Sequence, residues 1–204
     1  MQIVTASGAA QADIDEPAAA AAFLLVLTHG AGGGTGAADL LAARDAGLRL
    51  GATVARVTQP YRLRGARAPG SAVLQDAAWL EIIAALRARY PAVPLVQGGR
   101  SNGARVACRT ARAVAARAVV ALAFPLHPPG HPEKSRVTEL RDAGADVLVV
   151  NGDRDPFGVP ASTDAARVVV LPGETHTLAK HPAAVADAVH GWLREILGIP
   201  AAAC

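Results

Sequence analysis

The sequence predicts an α/β fold in which helices cover both faces of a doubly wound, mostly parallel sheet. Short segments such as 23–27 and 147–151 are wholly or almost wholly apolar, as expected for strands that are buried on both faces. Longer segments with helical spacing, such as 72–90 and 182–197, alternate with them. This alternation indicates repeated strand–helix units, which assemble into a parallel sheet.

The individual elements follow from the apolar runs and from the residues that end them. Gly51 ends the first predicted helix and Pro91 ends the second. One or two edge strands are expected within residues 1–20. Because 204 residues are too few for two full α/β domains, residues 1–204 are predicted to form a single domain. The predicted strands are 23–27, 52–57, 94–97, 119–124, 147–151 and 168–171, and the predicted helices are 37–50, 72–90, 104–116 and 182–197.

Composition and charge exclude several classes of protein. A hydrophobic content of 51% with 18% charged residues excludes an intrinsically disordered chain. Since only 3% of the residues are aromatic, the net charge is +3 and no basic stripe is present, no nucleic-acid partner is expected. The longest apolar run, 18–27, is too short to cross a bilayer, so no membrane association is expected either.

Cysteine usage and the N-terminal segment favour a cytoplasmic protein. Cys108 lies inside a predicted helix and Cys204 is the last residue, a pair that does not suggest a disulfide framework. The N-terminal segment is acidic and lacks the basic region of a secretory signal. Both a monomer and a homodimer are compatible with the sequence.

The most informative motif is a serine between two glycines, at the junction of a predicted strand and a predicted helix. Residues 99–103 are Gly-Arg-Ser-Asn-Gly, which fits the G-x-S-x-G nucleophile elbow. Glycines at these positions allow the strand and the helix to approach closely. Ser101 then lies at the helix N-terminus, where the partial positive charge favours a developing anion. We therefore predict that Ser101 is a nucleophile.

A serine nucleophile needs a base and an orienting acid, and both follow later strands. Asp155 comes just after the strand at 147–151, and His176 just after the strand at 168–171. Open α/β sheets place their active sites at such carboxyl ends. His176 is predicted to be the general base and Asp155 the acid that orients it. Asp153 is the alternative acid, although the Pro-Phe-Gly turn after Asp155 favours Asp155.

A glycine-rich loop at 29–34 is predicted to complete an oxyanion hole. Such a hole needs two backbone N–H groups directed at one point. One N–H is predicted to come from Asn102, directly after the serine. The other is predicted to come from Ala31 or Gly32, because the glycines of this loop let its backbone approach a substrate.

The same loop permits a competing interpretation. Residues 32–37 also fit G-x-G-x-x-A, a dinucleotide-binding pattern, which would make the chain a nicotinamide-dependent oxidoreductase. The next predicted strand ends without the acidic residue that binds a ribose, although its Arg56 could face a 2′-phosphate. This interpretation leaves the serine, aspartate and histidine unexplained, so no cofactor is predicted. No metal is predicted, since histidines and carboxylates do not cluster with ligand spacing.

A closer resemblance rests on four blocks of sequence, at 59–69, 98–107, 123–130 and 152–158. Together they resemble the α/β-hydrolase superfamily, and within it a small dienelactone-hydrolase-like branch. That branch includes uncharacterised bacterial hydrolases, testis-expressed eukaryotic relatives and a subunit of a nuclear histone-acetyltransferase complex. The resemblance extends from about residue 23 to residue 197.

The resemblance implies a minimal α/β-hydrolase fold with Ser101, Asp155 and His176 as a catalytic triad. The branch usually has Met-Gly-Gly after the serine, whereas this chain has Asn102 followed by Gly-Ala. The backbone N–H of Asn102 can still donate to an oxyanion. Its polar side chain, however, changes what fits beside the nucleophile.

The length of one connection predicts an open site. Larger hydrolases of this fold often carry a lid after the strand that follows the elbow helix, and the interval 125–145 is too short for one. We therefore expect small, accessible acyl substrates. Four side chains near the mouth are expected to favour an anionic substrate group. They are Arg62, Arg64, Arg100 and His127.

Two classes of function follow from these residues. The first is a serine hydrolase of small esters or thioesters, in which an acyl-enzyme forms on Ser101 and water releases it. The second is a non-catalytic interaction module that keeps the hydrolase scaffold. A complete set of serine, acid and histidine favours the hydrolase.

Overall fold

The strands of the computed structural model, which describes residues 1–200, pair into one eight-stranded sheet. They are β1 (Gln2–Thr5), β2 (Gly8–Asp15), β3 (Phe23–Thr28), β4 (Ala52–Thr58), β5 (Leu95–Arg100), β6 (Ala118–Leu122), β7 (Asp146–Gly152) and β8 (Arg167–Leu171). Their order across the sheet is β1-β2-β4-β3-β5-β6-β7-β8. The β1–β2 and β2–β4 pairs are antiparallel and the other pairs are parallel.

The mostly parallel α/β sheet is thus confirmed, and residues 1–20 supply two antiparallel strands at one edge. The single-domain prediction extended to residue 204, and residues 201–204, including Cys204, lie outside the described part of the chain. The other cysteine, Cys108, is fully buried, and this burial raises the pKa of its thiol.

Helices pack on both faces of the sheet, as a doubly wound fold requires. They are α1 (Ala38–Arg49), α2 (Pro60–Leu63), α3 (Ala72–Arg89), α4 (Asn102–Thr110), α5 (Val137–Arg141) and α6 (Pro182–Ile196). Alternate residues of β3 face opposite ways. Leu25 and Leu27 pack with α1 and α6, whereas Leu24 and Val26 pack with α3. The strand is buried on both sides, which explains its unbroken apolar sequence.

One predicted helix is too long. The segment 104–116 was expected to be helical throughout, but α4 ends at Thr110 and a turn follows. Ala115 lies in this turn with a φ of 49°, in the left-handed region that a helix excludes. Its neighbour Ala116 donates its N–H back to the carbonyl of Ala111, which closes the turn.

The connection between β6 and β7 contains only one short helix, the five-residue α5. The prediction of a site without a substantial lid is therefore confirmed. Within residues 1–200, the helices are too short or too polar to cross a membrane.

The strand order creates a topological switch point at the carboxyl ends of β3 and β5. β3 and β5 are parallel neighbours, but the chain leaves β3 towards α1 on one face and leaves β5 towards α4 on the other. Loops that diverge in this way open a crevice beyond the strand ends, where open α/β sheets bind ligands.

Candidate active site

Ser101 occupies a tight turn between β5 and α4. Its φ of 52° and ψ of −117° lie outside the regions that a serine ordinarily adopts, at a typical cost of about 1–3 kcal/mol. A Cβ at Gly99 would lie 2.6 Å from the carbonyl oxygen of Thr28, and a Cβ at Gly103 would lie equally close to that oxygen, at 2.6 Å. Both glycines are therefore required for the strand and the helix to approach.

The structure brings the three predicted catalytic side chains together. His176 Nε2 lies 2.9 Å from Ser101 Oγ, and His176 Nδ1 lies 2.8 Å from Asp155 Oδ2. For Nε2 to accept the serine hydrogen, the ring proton must be on Nδ1, where it is donated to the carboxylate. Ser101 is partly exposed, whereas the Asp155 side chain is completely buried. The Ser101 hydroxyl is thus accessible, and the Asp155 carboxylate is shielded from water.

The geometry favours Asp155 over Asp153, the alternative that the sequence left open. Asp155 Oδ1 accepts the Phe157 N–H at 2.9 Å while Oδ2 faces the histidine. Asp153 is exposed, and its Oδ1 accepts the N–H of Gly173 at 2.7 Å. Asp153 therefore stabilises a turn.

Two residues that the sequence analysis did not assign support the acid and the histidine. Asn151, fully buried at the end of β7, donates from Nδ2 to Asp155 Oδ2 at 3.3 Å and accepts the Phe124 N–H at 2.8 Å. The ring of Phe157 lies against the imidazole of His176, with centroids 4.2 Å apart. A polar residue that ends an apolar strand could have singled out Asn151, but no pattern points to Phe157.

The loop 29–34 lies against the elbow, and the segment after β4 holds it in place. A Cβ at Gly30 would lie 3.2 Å from Ser101 Cβ, so the loop passes directly beside the nucleophile. The Tyr61 hydroxyl donates to the carbonyl of Ala31 at 3.1 Å. Because N–H and the preceding C=O point in opposite directions across a trans peptide, this bond also fixes the direction of the Gly32 N–H. The oxyanion roles of Ala31 and Gly32 stay predictions.

Asn102 is the first residue of α4, so its backbone N–H has no acceptor within the helix. This N–H is available for the predicted oxyanion role. The side chain is turned elsewhere, because its Nδ2 donates to Gln75 Oε1 at 2.6 Å. Gln75 is itself anchored by donation to the carbonyls of Gly70 and Ser71, each at 3.2 Å.

His29, at the start of the loop, is fully buried and neutral. Its Nδ1 lies 2.8 Å from the carbonyl of Gly30, and its Nε2 accepts the N–H of Gln59 at 3.0 Å. Only the neutral ring with its proton on Nδ1 satisfies both contacts. Burial lowers the pKa of His29, which keeps this form. Burial likewise raises the pKa of Tyr61 to about 12, so Tyr61 remains a donor to the loop.

We expect acid to destabilise the protein partly through His29. Because the folded-state pKa is lowered, the unfolded chain binds the proton first. The free energy of unfolding is then complete above about pH 6.5 and falls as the pH drops towards the folded-state pKa, by about 1.4 kcal/mol per pKa unit of difference. Urea unfolding of the wild type and of His29→Gln, followed between about pH 8 and pH 5, measures this. The variant should show the shallower decline, and identical declines would contradict the assignment.

Four cationic side chains were predicted to converge at the mouth of the site, and for Arg100 and Arg62 this prediction is wrong. Arg100 Nε donates to Asp39 Oδ2 at 2.8 Å, and its Nη2 donates to the backbone carbonyl of His176, also at 2.8 Å. Arg62 Nε donates to the carbonyl of Gly33 at 3.0 Å. Both guanidinium groups are therefore engaged by acceptors within the protein. They link the loops of the site instead of facing a substrate.

The other two residues of that set lie on opposite sides of the site. Arg64 is exposed and donates to the carbonyl of Ser7, in the turn between β1 and β2. His127 packs on the turn after Asp155, where a Cβ at Gly158 would collide with its Nε2. Arg56, the candidate for a 2′-phosphate contact, donates from Nη2 to Asp15 Oδ2 and from Nη1 to the carbonyl of Thr35, each at 3.4 Å.

Comparisons with known proteins agree with this architecture. Among solved structures, Est1E from Butyrivibrio proteoclasticus with bound ferulic acid superimposes with a TM-score of 0.80 at 17% identity, over 97% of this chain and 99% of its own. XC6422 from Xanthomonas campestris, described as an α/β serine hydrolase without a lid, superimposes with a TM-score of 0.77 at 19% identity, over 100% of this chain and 95% of its own. Dienelactone hydrolase from Anabaena variabilis superimposes with a TM-score of 0.76 at 16% identity, over 96% of this chain and 95% of its own.

At these identities the solved structures establish the fold alone. No sequence among the curated proteins matches the chain. The sequence model of a family described as an alpha/beta hydrolase domain matches residues 21–183. Since this match spans most of the chain, the protein belongs to the α/β-hydrolase superfamily.

Proposed function

We propose that the protein is a serine hydrolase of small, accessible esters or thioesters, with Ser101, His176 and Asp155 as its catalytic triad. The proposal rests on one observation, the unbroken pair of hydrogen bonds from Ser101 Oγ to His176 Nε2 at 2.9 Å and from His176 Nδ1 to Asp155 Oδ2 at 2.8 Å. A serine hydroxyl is a weak nucleophile, and this arrangement of base and acid activates it.

In the first half of the reaction, Ser101 Oγ attacks the acyl carbon while His176 Nε2 takes the hydroxyl proton. The negative charge that develops on the acyl oxygen is stabilised by the N–H of Asn102 and by an N–H of the loop, from Ala31 or Gly32. Asp155 stabilises the imidazolium. When the intermediate collapses, the bond to the leaving alcohol or thiol breaks, and His176 returns the proton to that group.

In the second half, water takes the place of the leaving group. His176 removes a proton from the water, and the resulting hydroxide attacks the acyl-enzyme. The proton then returns to Ser101 as the bond to its oxygen breaks. The balance is one ester or thioester plus water giving a carboxylic acid plus an alcohol or thiol.

The preference for small, accessible substrates is supported by the absence of a substantial lid between β6 and β7 and by the partial exposure of Ser101. An enzyme that binds a long lipid chain needs an enclosed apolar surface around the chain. The open crevice described above supplies little of it.

A fluorophosphonate probe tests the proposal, because it reacts only with an activated serine. We expect the wild type to be labelled on Ser101 and Ser101→Ala to be unlabelled, with kcat for a short p-nitrophenyl ester lowered by about 10⁴- to 10⁶-fold. Circular dichroism of both proteins serves as the control for folding. Folded wild-type protein that is neither labelled nor active would contradict the hydrolase and favour the interaction module.

A further inference from the structure

A cavity of about 170 Å³ lies between the segment after β4 and the first turns of α3. Much of its wall is apolar, and Ser7 and Arg64 lie on it as well. The wall also includes Gln59, Tyr61, Leu74, Gln75 and Ala78.

Three of these wall residues contact the residues beside the nucleophile. The Tyr61 hydroxyl donates to the carbonyl of Ala31 at 3.1 Å, and Gln75 Oε1 accepts from the Asn102 side chain at 2.6 Å. The backbone N–H of Gln59 donates to the histidine that begins the loop, at 3.0 Å. The cavity therefore lies behind the wall residues that contact both predicted oxyanion-donor segments, and neither those segments nor Ser101 line it. The catalytic histidine and its acid do not line it.

This position determines which part of a substrate the cavity can receive. A tetrahedral intermediate on Ser101 carries the serine oxygen, the oxyanion, the leaving group and the acyl chain. The leaving group must take its proton from His176, so it lies on the histidine side. The acyl chain takes the remaining direction, away from His176, and the cavity next to the end of β4 lies on that side of β5.

We propose that this cavity is the acyl-binding pocket and that it takes an uncharged acyl group of about six carbons, as a chain or a single ring. The proposal rests on the serine hydrolase activity proposed above. A cavity of roughly 150 Å³ holds one benzene molecule, whereas pockets for drug-sized ligands begin at about 300 Å³. Arg64 is exposed and donates to the carbonyl of Ser7, so the apolar wall sets the preference.

Two residues of α3 limit the length of the acyl group. Ala78 is buried in the wall, so a larger side chain there would fill the cavity. Leu74 lines the cavity but is mostly exposed, so shortening it enlarges the cavity with little effect on the core. Ala77 is exposed and does not line the cavity, which makes Ala77→Leu the matched control for Ala78→Leu.

The test is kcat/KM for p-nitrophenyl esters from acetate to decanoate. In the wild type we expect it to rise by about fourfold per methylene up to hexanoate, as each methylene leaves water, and to fall beyond octanoate. Ala78→Leu should lower the value for hexanoate about tenfold and change that for acetate less than twofold. Ala77→Leu should change neither, and Leu74→Ala should raise the value for octanoate several-fold.

Other outcomes would overturn the pocket. One is that kcat/KM depends on chain length in the same way in the wild type, Ala78→Leu and Leu74→Ala. The other is that kcat/KM is higher for the p-nitrophenyl monoester of adipic acid than for the hexanoate ester. Labelling by ethyl and hexyl fluorophosphonates separates this failure from that of the hydrolase. No labelling of Ser101 by either probe refutes the hydrolase, whereas labelling at equal rates by both refutes only the pocket.

Discussion

Replacing Asp155 by Asn is expected to lower kcat by about 10⁴-fold while KM changes little. The carboxylate accepts the proton on His176 Nδ1, at 2.8 Å, and so keeps Nε2 free to accept from Ser101. An amide at this position can direct its NH₂ group at Nδ1. The ring proton then moves to Nε2, and the imidazole can no longer act as the base.

Asp153→Asn is the matched control, because it makes the same chemical change two residues away. The Asp153 carboxylate accepts only the N–H of Gly173 among the contacts described, at 2.7 Å, and an amide oxygen can accept that bond as well. We expect kcat to stay within about twofold of wild type. The measurement is kcat and single-turnover acylation with a short p-nitrophenyl ester. Similar losses in both variants, or a loss in Asp153→Asn alone, would contradict the assignment of the acid.

The three catalytic candidates could be predicted because each follows a strand that is recognisable from its sequence. Parallel strands bring their carboxyl ends to one edge, so residues far apart in the chain become neighbours once the strands are placed. The glycines of the elbow are informative because the local backbone requires them: a Cβ at Gly99 or Gly103 would collide with the backbone of the adjacent strand. Both inferences depend on the backbone alone.

The side-chain contacts that hold the site could not be predicted in this way. Asp39 is one acidic residue near the start of a predicted helix, and its pairing with Arg100 depends on how α1 packs against the end of β5. The bonds from Tyr61 to Ala31 and from Asn102 to Gln75 likewise join segments whose relative positions only the folded chain defines. Long polar side chains near a predicted site look like substrate ligands, because the sequence does not show their internal acceptors.

Replacing Arg100 by Met is expected to lower the free energy of unfolding by about 3–5 kcal/mol, since it leaves a buried carboxylate without its partner. Asp39 is completely buried, and its carboxylate accepts from Arg100 and from the backbone N–H of Leu40. Burial already raises the pKa of Asp39 in spite of the neighbouring guanidinium. A raised folded-state pKa means that stability is lost as the pH rises through that value, so acid should partly rescue Arg100→Met.

The double variant Arg100→Met/Asp39→Asn separates the contribution of Arg100 to stability, through Asp39, from its contact with the carbonyl of His176. Removing the carboxylate along with its partner should recover most of the lost free energy in urea unfolding, which gives a strong coupling between the two positions. We expect a low kcat in Arg100→Met and an equally low kcat in the double variant, because in both the carbonyl of His176 has lost the donor that lies 2.8 Å away in the wild type. Additive stability effects would refute the buried pair. Recovery of kcat together with stability would show that Arg100 acts through stability alone, whereas a kcat that does not recover identifies Arg100 as a positioning residue for His176.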